Sequence, residues 1–313
     1  MENKKTIKEV LNSLTLVLII LGLGVVLSIA SPNFLKTTNI LNILRQVSIN
    51  GILAIGMSLV CLTGGIDLSV GSIVAFAGIL TAGMLNNTSL PIFVIALIAV
   101  AVGCIMGLIN GYFVAYWGAP AFVVTLSMLT VGRGLTYIYC DGKPISKLPA
   151  EFLVIGKGSL LGLPIPTIVL LIVFIVFSVM LSKFKLGRYI YAVGGNPQAA
   201  MVSGINVKKI LLLVYMFSGM CCGVAAVVLT ARVSAGLATA GDGYELNAIA
   251  ATVIGGTSLS GGTGKLWGTL LGALLLGMVN TGLDLLNVTS YYQQVVRGLI
   301  ILGAILIDTR RNK

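Results

Sequence analysis

The chain contains no histidine, and only nine of its 313 residues are acidic. Without imidazole there can be no Ser–His or Cys–His nucleophile pair, and the few carboxylates never stand two together at catalytic spacing. An integral membrane enzyme would have to work through Asp67, Asp242 or Asp284 alone. Charged residues of both signs make up 9% of the sequence, against about a quarter in ordinary soluble domains. The five cysteines, Cys61, Cys104, Cys140, Cys221 and Cys222, form no C-x-x-C or metal-ligand spacing. No metal or other cofactor is expected. The segment G-G-T-G-K at 261–265 looks like the end of a phosphate-binding loop, but that pattern needs glycine at 259 and Ser or Thr at 266. Those positions are Leu259 and Leu266, so no ATP site is expected from it.

What the chain has in abundance is apolar sequence: 57% hydrophobic residues and a mean hydropathy of +1.06. A helix needs about 20 apolar residues to cross a bilayer. Stretches of that kind fall near 12–30, 44–63, 66–85, 91–116, 119–140, 163–182, 210–231, 245–258, 266–286 and 291–307. The expectation is an all-α polytopic membrane protein with about ten transmembrane helices and both termini cytoplasmic, forming one transmembrane domain over 1–313. The eighth stretch is short and glycine-rich, and the second carries Arg45, Gln46 and Asn50. The apolar run from Ser13 to Ala30 is too long for a signal-peptide core, and Ala30-Ser31-Pro32 is a poor cleavage context, so the first span is expected to remain uncleaved.

Charge gives the orientation. With the amino terminus inside, twelve basic residues fall on the cytoplasmic side, namely Lys4, Lys5, Lys8, Lys183, Lys185, Arg188, Lys208, Lys209, Lys265, Arg310, Arg311 and Lys313. Five fall outside: Lys36, Lys143, Lys147, Lys157 and Arg232. Such a bias fixes membrane topology. The net charge of +11 therefore reflects topology and anionic lipid; without a continuous basic face, nucleic acid is not an expected partner.

Glycine is the next signal, with 39 residues. Gly268, Gly272 and Gly277 suit close helix packing. The pairs Gly64-Gly65 and Gly255-Gly256 should break helices, and each opens the pattern G-G-x-x-L-S-x-G, a hint of an internal repeat. Asp67 lies in the first of these segments. It either sits at the cytoplasmic boundary and caps a helix beginning at Leu68, with Ser69 and the flanking glycines shaping the turn, or it is an intramembrane carboxylate carrying a proton or ion. The segment 64–72 is either a surface turn or a broken helix. Asn50, Asn110, Asn247 and Asn280 fit interhelical hydrogen bonding, one or two of them lining a hydrophilic path. An ion-coupled secondary transporter would draw on Asp67 or Asp284.

The polar island 183–209 interrupts this apolar sequence. It carries five basic residues and no acid. Within it a short helix is written in full: Asn196 as N-cap after Gly195, Pro197 at the first helical position, then Gln198, Ala199, Ala200 and Ser203, with Gly204 closing it in the left-handed conformation. A capped helix projecting into the cytoplasm is a docking element. On the opposite side, the loop from Asp141 to Leu163 and the segment from Arg232 to Tyr244, with Asp242, carry charges of both signs suited to a protein partner.

The segment Q-A-A-M-V-S-G at 198–204 resembles the cytoplasmic E-A-A-x-x-x-G loop of ATP-binding-cassette importer permeases. Gln198 stands in place of the glutamate, and the downstream Leu-Pro is missing. G-G-I-D-L-S-V-G-S at 64–72, G-R-Y-I-Y-A-V-G-G-N at 187–196, S-G-I-N-V at 203–207, G-Y-E-L-N-A-I-A-A at 243–251 and G-G-T-S-L-S-G-G at 255–262 resemble the ribose-type branch of the monosaccharide importer permeases. That resemblance runs over essentially the full length. It implies a permease in the bacterial plasma membrane, paired with a second permease subunit and bound to an ABC ATPase at the 183–209 loop. An extracytoplasmic binding protein would deliver the sugar, with ribose the nearest match. Hydrolysis would belong to the partner, and this chain would not be an enzyme.

Overall fold

The computed structural model describes residues 2–311, with side chains from 14 to 303 and at 305 and 306. The terminal basic residues Lys4, Lys5, Lys8, Arg310, Arg311 and Lys313 lie outside the described side chains. The chain runs α1 (Glu2–Ala30), α2 (Thr37–Leu62), α3 (Val70–Asn87), α4 (Ile92–Tyr116), α5 (Ala121–Cys140) and the short α6 (Ala150–Lys157). A small antiparallel hairpin, β1 (Ser159–Leu160) and β2 (Leu163–Pro164), precedes α7 (Ile165–Lys183), α8 (Lys185–Gly195) and α9 (Pro197–Val202). The chain continues through α10 (Val207–Val233), α11 (Tyr244–Ile254), α12 (Leu266–Leu285) and α13 (Ser290–Arg311).

Proline punctuates this order. Pro91, Pro120, Pro149 and Pro164 each stand just before a helix, and Pro197 is the first residue of α9. There the fixed φ suits the helix and no N–H is required. All ten predicted stretches fall on helices. Among the described residues seven of them, α2, α3, α4, α5, α7, α10 and α12, are long and apolar enough to cross a bilayer. In the stretch 245–258 the helix by itself is too short to cross. Its helix α11 has 11 residues, a rise of about 16 Å against a hydrocarbon core of about 30 Å.

The core is organised around α10, which packs on α4, α2 and α3. Glycine permits the closest of these contacts. A Cβ on Gly103 would run into the Gly219 carbonyl, one on Gly219 into the Gly103 carbonyl, and one on Gly107 into the Tyr215 carbonyl. Lipid tails are as apolar as the side chains they solvate, so helix association rests on such close packing and on hydrogen bonds between helices. The expectation for Gly268, Gly272 and Gly277 agrees with the structure: a side chain there would strike the Gly255 carbonyl, the Ala251 carbonyl and Val47. Buried hydroxyls add a tie among α2, α11 and α12, where Ser58 Oγ lies 2.7 Å from Thr269 Oγ1 and 3.3 Å from Thr252 Oγ1.

The consecutive helices α2 and α3 diverge. The first packs on α7, α10, α11 and α12, the second on α4, α5 and α10. Between them, residues 63–69 are non-helical, and within this stretch only Gly64 is exposed. The structure therefore has a buried break here, not a surface turn.

Valine at Gly103 should force α4 and α10 apart at a cost of about 1–3 kcal/mol, the usual penalty of overpacking. Gly22, which has no neighbour within 4 Å of an added Cβ, is the control. Thermal unfolding in detergent should show a lowered midpoint for Gly103→Val and little change for Gly22→Val.

Candidate functional site

The break between α2 and α3 places Asp67, the one fully buried acid among the described residues, inside the bundle. Gly64 turns the chain with φ +79°, and Gly65 lies under the ring of Tyr215, 2.5 Å from its hydroxyl to an added Cβ. The sequence expectation placed a helix directly after Asp67, at Leu68. Instead α3 begins at Val70 with Ser69 as its N-cap. Asp67 acts one step earlier: its Oδ1 accepts from the Ser69 N–H (3.0 Å) and from the Ser69 hydroxyl (2.5 Å). Its Oδ2 accepts from Ser218 Oγ of α10 at 2.7 Å.

Asn110 of α4 donates from Nδ2 to Ser69 Oγ at 2.8 Å, so the cluster joins the break to two helices. Thr125 of α5 donates to the Ile66 carbonyl at 3.2 Å, holding the break from a third side. The structure thus brings together Asp67, Ser69 and Asn110. Sequence reasoning missed Ser218 and Tyr215; a hydroxyl within an apolar span was the available signal, but nothing in the sequence pairs position 218 with position 67. Asn50, Asn247 and Asn280 are buried on α2, α11 and α12. The Oδ1 atoms of Asn50, Asn110 and Asn247, and the Tyr215 hydroxyl, have no hydrogen-bond partner among the described residues.

A second feature lies at the end of the molecule where Lys208 sits over the Tyr116 ring. Asn196 Oδ1 accepts from the Ala199 N–H at 2.9 Å, capping α9 as its sequence predicts. Gly204 adopts φ +82°. The Ile205 N–H donates to the Ala200 carbonyl and the Gly204 N–H to that of Met201, both at 3.0 Å, which is the hydrogen-bond pair of a Schellman close. Gly195, Asn196, Pro197, Gln198, Ala199, Ser203 and Gly204 are exposed, and only Ala200 is buried. Met201 is 63% and Val202 91% exposed, apolar side chains standing free on a polar loop.

The opposite end holds the third group. Arg133 of α5 pairs with Asp242 and donates to the carbonyls of Ala238 and Ala240. Ile145 bridges Gly236, so the two loops expected to share one face do meet. Arg232 ends α10 and Tyr244 begins α11, both half-buried.

A protein-family profile described as the permease component of a branched-chain amino acid transport system matches residues 39–305. The chain belongs to this permease family. It is a multi-pass membrane component and not itself an enzyme. It is 45% identical over 292 residues to the ribose import permease protein of Bacillus subtilis, covering 93% of this chain and 90% of that one. The ribose import permease protein of Haemophilus influenzae is 46% identical over 287 residues, 90% of this chain and 88% of its own. The corresponding protein of Escherichia coli K12 is 45% identical over 297 residues, with 94% and 92% covered. No solved structure matches.

The Asp67 cluster yields a prediction. In Asp67→Asn the amide oxygen can still accept from Ser69, while Ser218 can accept from the new amide, so uptake should survive with modest loss. Asp67→Ala strands three buried donors, at about 1–3 kcal/mol each. Uptake assays with thermal melts of both variants should show Asn near wild type and Ala strongly impaired.

Proposed function

We propose that the protein is the membrane subunit of an ATP-binding-cassette importer that carries ribose into the cytoplasm across the bacterial inner membrane. The observation that carries the coupling role is α9, a preformed helix capped at both ends that presents Met201 and Val202 to water. Isolated apolar side chains on a six-residue helix have no reason to be held there unless another surface covers them. The ATPase subunit is that surface, and residues 195–204 are its contact. Ribose is proposed from the similarity to the ribose import permeases, which extends over nine-tenths of the chain.

In this reading ten helices cross the membrane with both termini inside, α11 completing its passage through the irregular segment 255–265. The end bearing α9 is cytoplasmic. The end bearing Arg133 and Asp242 faces the binding protein, and a second permease subunit completes the pathway. Charge supports the outward assignment. Arg45 donates to the Lys157 carbonyl, Arg232 and Arg297 flank Tyr244, and among the described residues none of these three arginines is in an ion pair. Such a cluster suits an acidic rim on a sugar-binding protein, where complementary charge chiefly raises the association rate. An ion-coupled mechanism needs an acid free to exchange its ion. The Asp67 oxygens already accept from Ser69 and Ser218.

Two measurements test this function. In proteoliposomes with the ATPase inside and ribose-loaded binding protein outside, uptake should need ATP and no ion gradient; gradient-dependent uptake would sink the proposal. Gly204 offers the sharper probe, because an added Cβ has nothing within 4 Å and only φ +82° resists substitution. Gly204→Val should insert normally but lose ATPase co-purification and uptake, whereas Gly204→Asn, which tolerates that conformation, should retain most of both. Wild-type uptake by the valine variant would remove α9 from the contact.

A further inference from the structure

Directly behind α9, three stretches of bare backbone meet. The Gly262 N–H donates to the Leu62 carbonyl at 2.9 Å, linking the irregular segment after α11 to the last residue of α2. Gly194, at the end of α8, lies against the same pair: a Cβ there would collide with the Leu62 carbonyl and stand 2.6 Å from the Gly262 nitrogen. A Cβ on Gly261 would be 2.7 Å from the Gly194 carbonyl and 3.0 Å from the Gly64 nitrogen. One on Gly262 would be 2.8 Å from the Gly195 Cα. Tyr191, one helical turn before Gly195, donates from its hydroxyl to the Gly264 carbonyl at 2.8 Å and fastens α8 to the same segment.

We propose that this junction of Leu62–Gly64, Gly194–Gly195 and Gly261–Gly264 is the relay through which ATPase movement at α9 reaches the transport pathway, with Gly262 and Tyr191 as its positioning residues. The proposal rests on α9 being the ATPase contact. Asn196, the cap of α9, follows Gly195 directly, so no flexible linker separates the docking helix from the junction. Apart from the Tyr191 hydroxyl, these contacts are backbone on backbone, without side chains that could rotate to absorb a displacement. On the far side, α2 is largely buried and tied through Ser58 to α11 and α12, while Gly64 opens the break that ends in the Asp67 cluster. A shift of α8 and α9 therefore moves the end of α2 and both glycine-rich breaks together.

The test uses the complete complex in proteoliposomes and reads the ratio of ATPase rates with and without ribose-loaded binding protein, beside uptake and the melting temperature. Gly262→Ala combines a left-handed φ of +73° with a backbone collision and should wedge the junction open. Tyr191→Phe removes one hydrogen bond and keeps the ring. Both should co-purify with the ATPase; Tyr191→Phe should melt near wild type and Gly262→Ala somewhat below it. The stimulation ratio should fall on the order of tenfold for Gly262→Ala and a few-fold for Tyr191→Phe, the scale of ordinary coupling free energies. Wild-type stimulation in both variants would overturn the relay, as would loss of co-purification, which would make the junction part of the dock. Should Gly262→Ala fail to insert, Tyr191→Phe decides alone. A cysteine at Met201 that forms no cross-link to the ATPase in the otherwise wild-type complex would refute the docking role of α9, an outcome separable from an intact dock without a relay.

Discussion

The contact between α4 and α10 is the constraint from which the rest of this structure follows. Gly103 and Gly107 on one helix and Gly219 and Gly223 on the other bring two backbones together with no side chain between them. Only at that separation can Asn110 of α4 and Ser218 of α10 both reach the segment between α2 and α3. Were the helices held apart by ordinary side chains, Asp67 would face a gap in the bundle and its carboxylate would lose an acceptor role on one side. A non-helical stretch can exist at depth only where protein groups satisfy it, since lipid offers no hydrogen bonds. The glycine contact and the broken helix are thus one design.

That design shows why so few charged residues suffice. Asp67 is buried with no cationic partner among the described residues, and its oxygens are occupied by the Ser69 amide and by the hydroxyls of Ser69 and Ser218. Neutral donors spread over the break and α10 give the carboxylate a fixed geometry that a long, flexible lysine or arginine would not. The fixed positions in turn define where α3 starts. Elsewhere hydroxyls serve the same end, as in the contact of Ser58 with Thr252 and Thr269.

Much of this was legible in the sequence because the signals were local. The positions of the long helices follow from runs of apolar residues, and α9 follows from Asn196, Pro197 and Gly204 alone, since caps act within a few residues of themselves; α6 and α8 lie in stretches read as loops. The glycines of α12 announced close packing by their spacing. What was not legible depends on distant partners. Whether 64–72 was a turn or a break could not be told from G-G-I-D-L-S-V-G-S, because the answer lies with Asn110, Thr125 and Ser218 on three other helices. The stretch 245–258 read as a span because Ala, Ile and Val there are apolar, yet Gly255 and Gly256 stop the helix at Ile254. Asp242 read as one of the charges suited to a protein partner, and only the fold brings Arg133 to it.

Val202 carries a consequence for assembly. Its side chain is almost wholly in water, beside a half-exposed methionine, on a helix held rigid by its own caps. Such a tip is adhesive as soon as the chain is inserted, before any companion subunit has been made. With α9 as the proposed ATPase contact, an imbalance in the supply of the two subunits would leave an uncovered apolar knob on the membrane surface, open to chaperones, proteases and other copies alike.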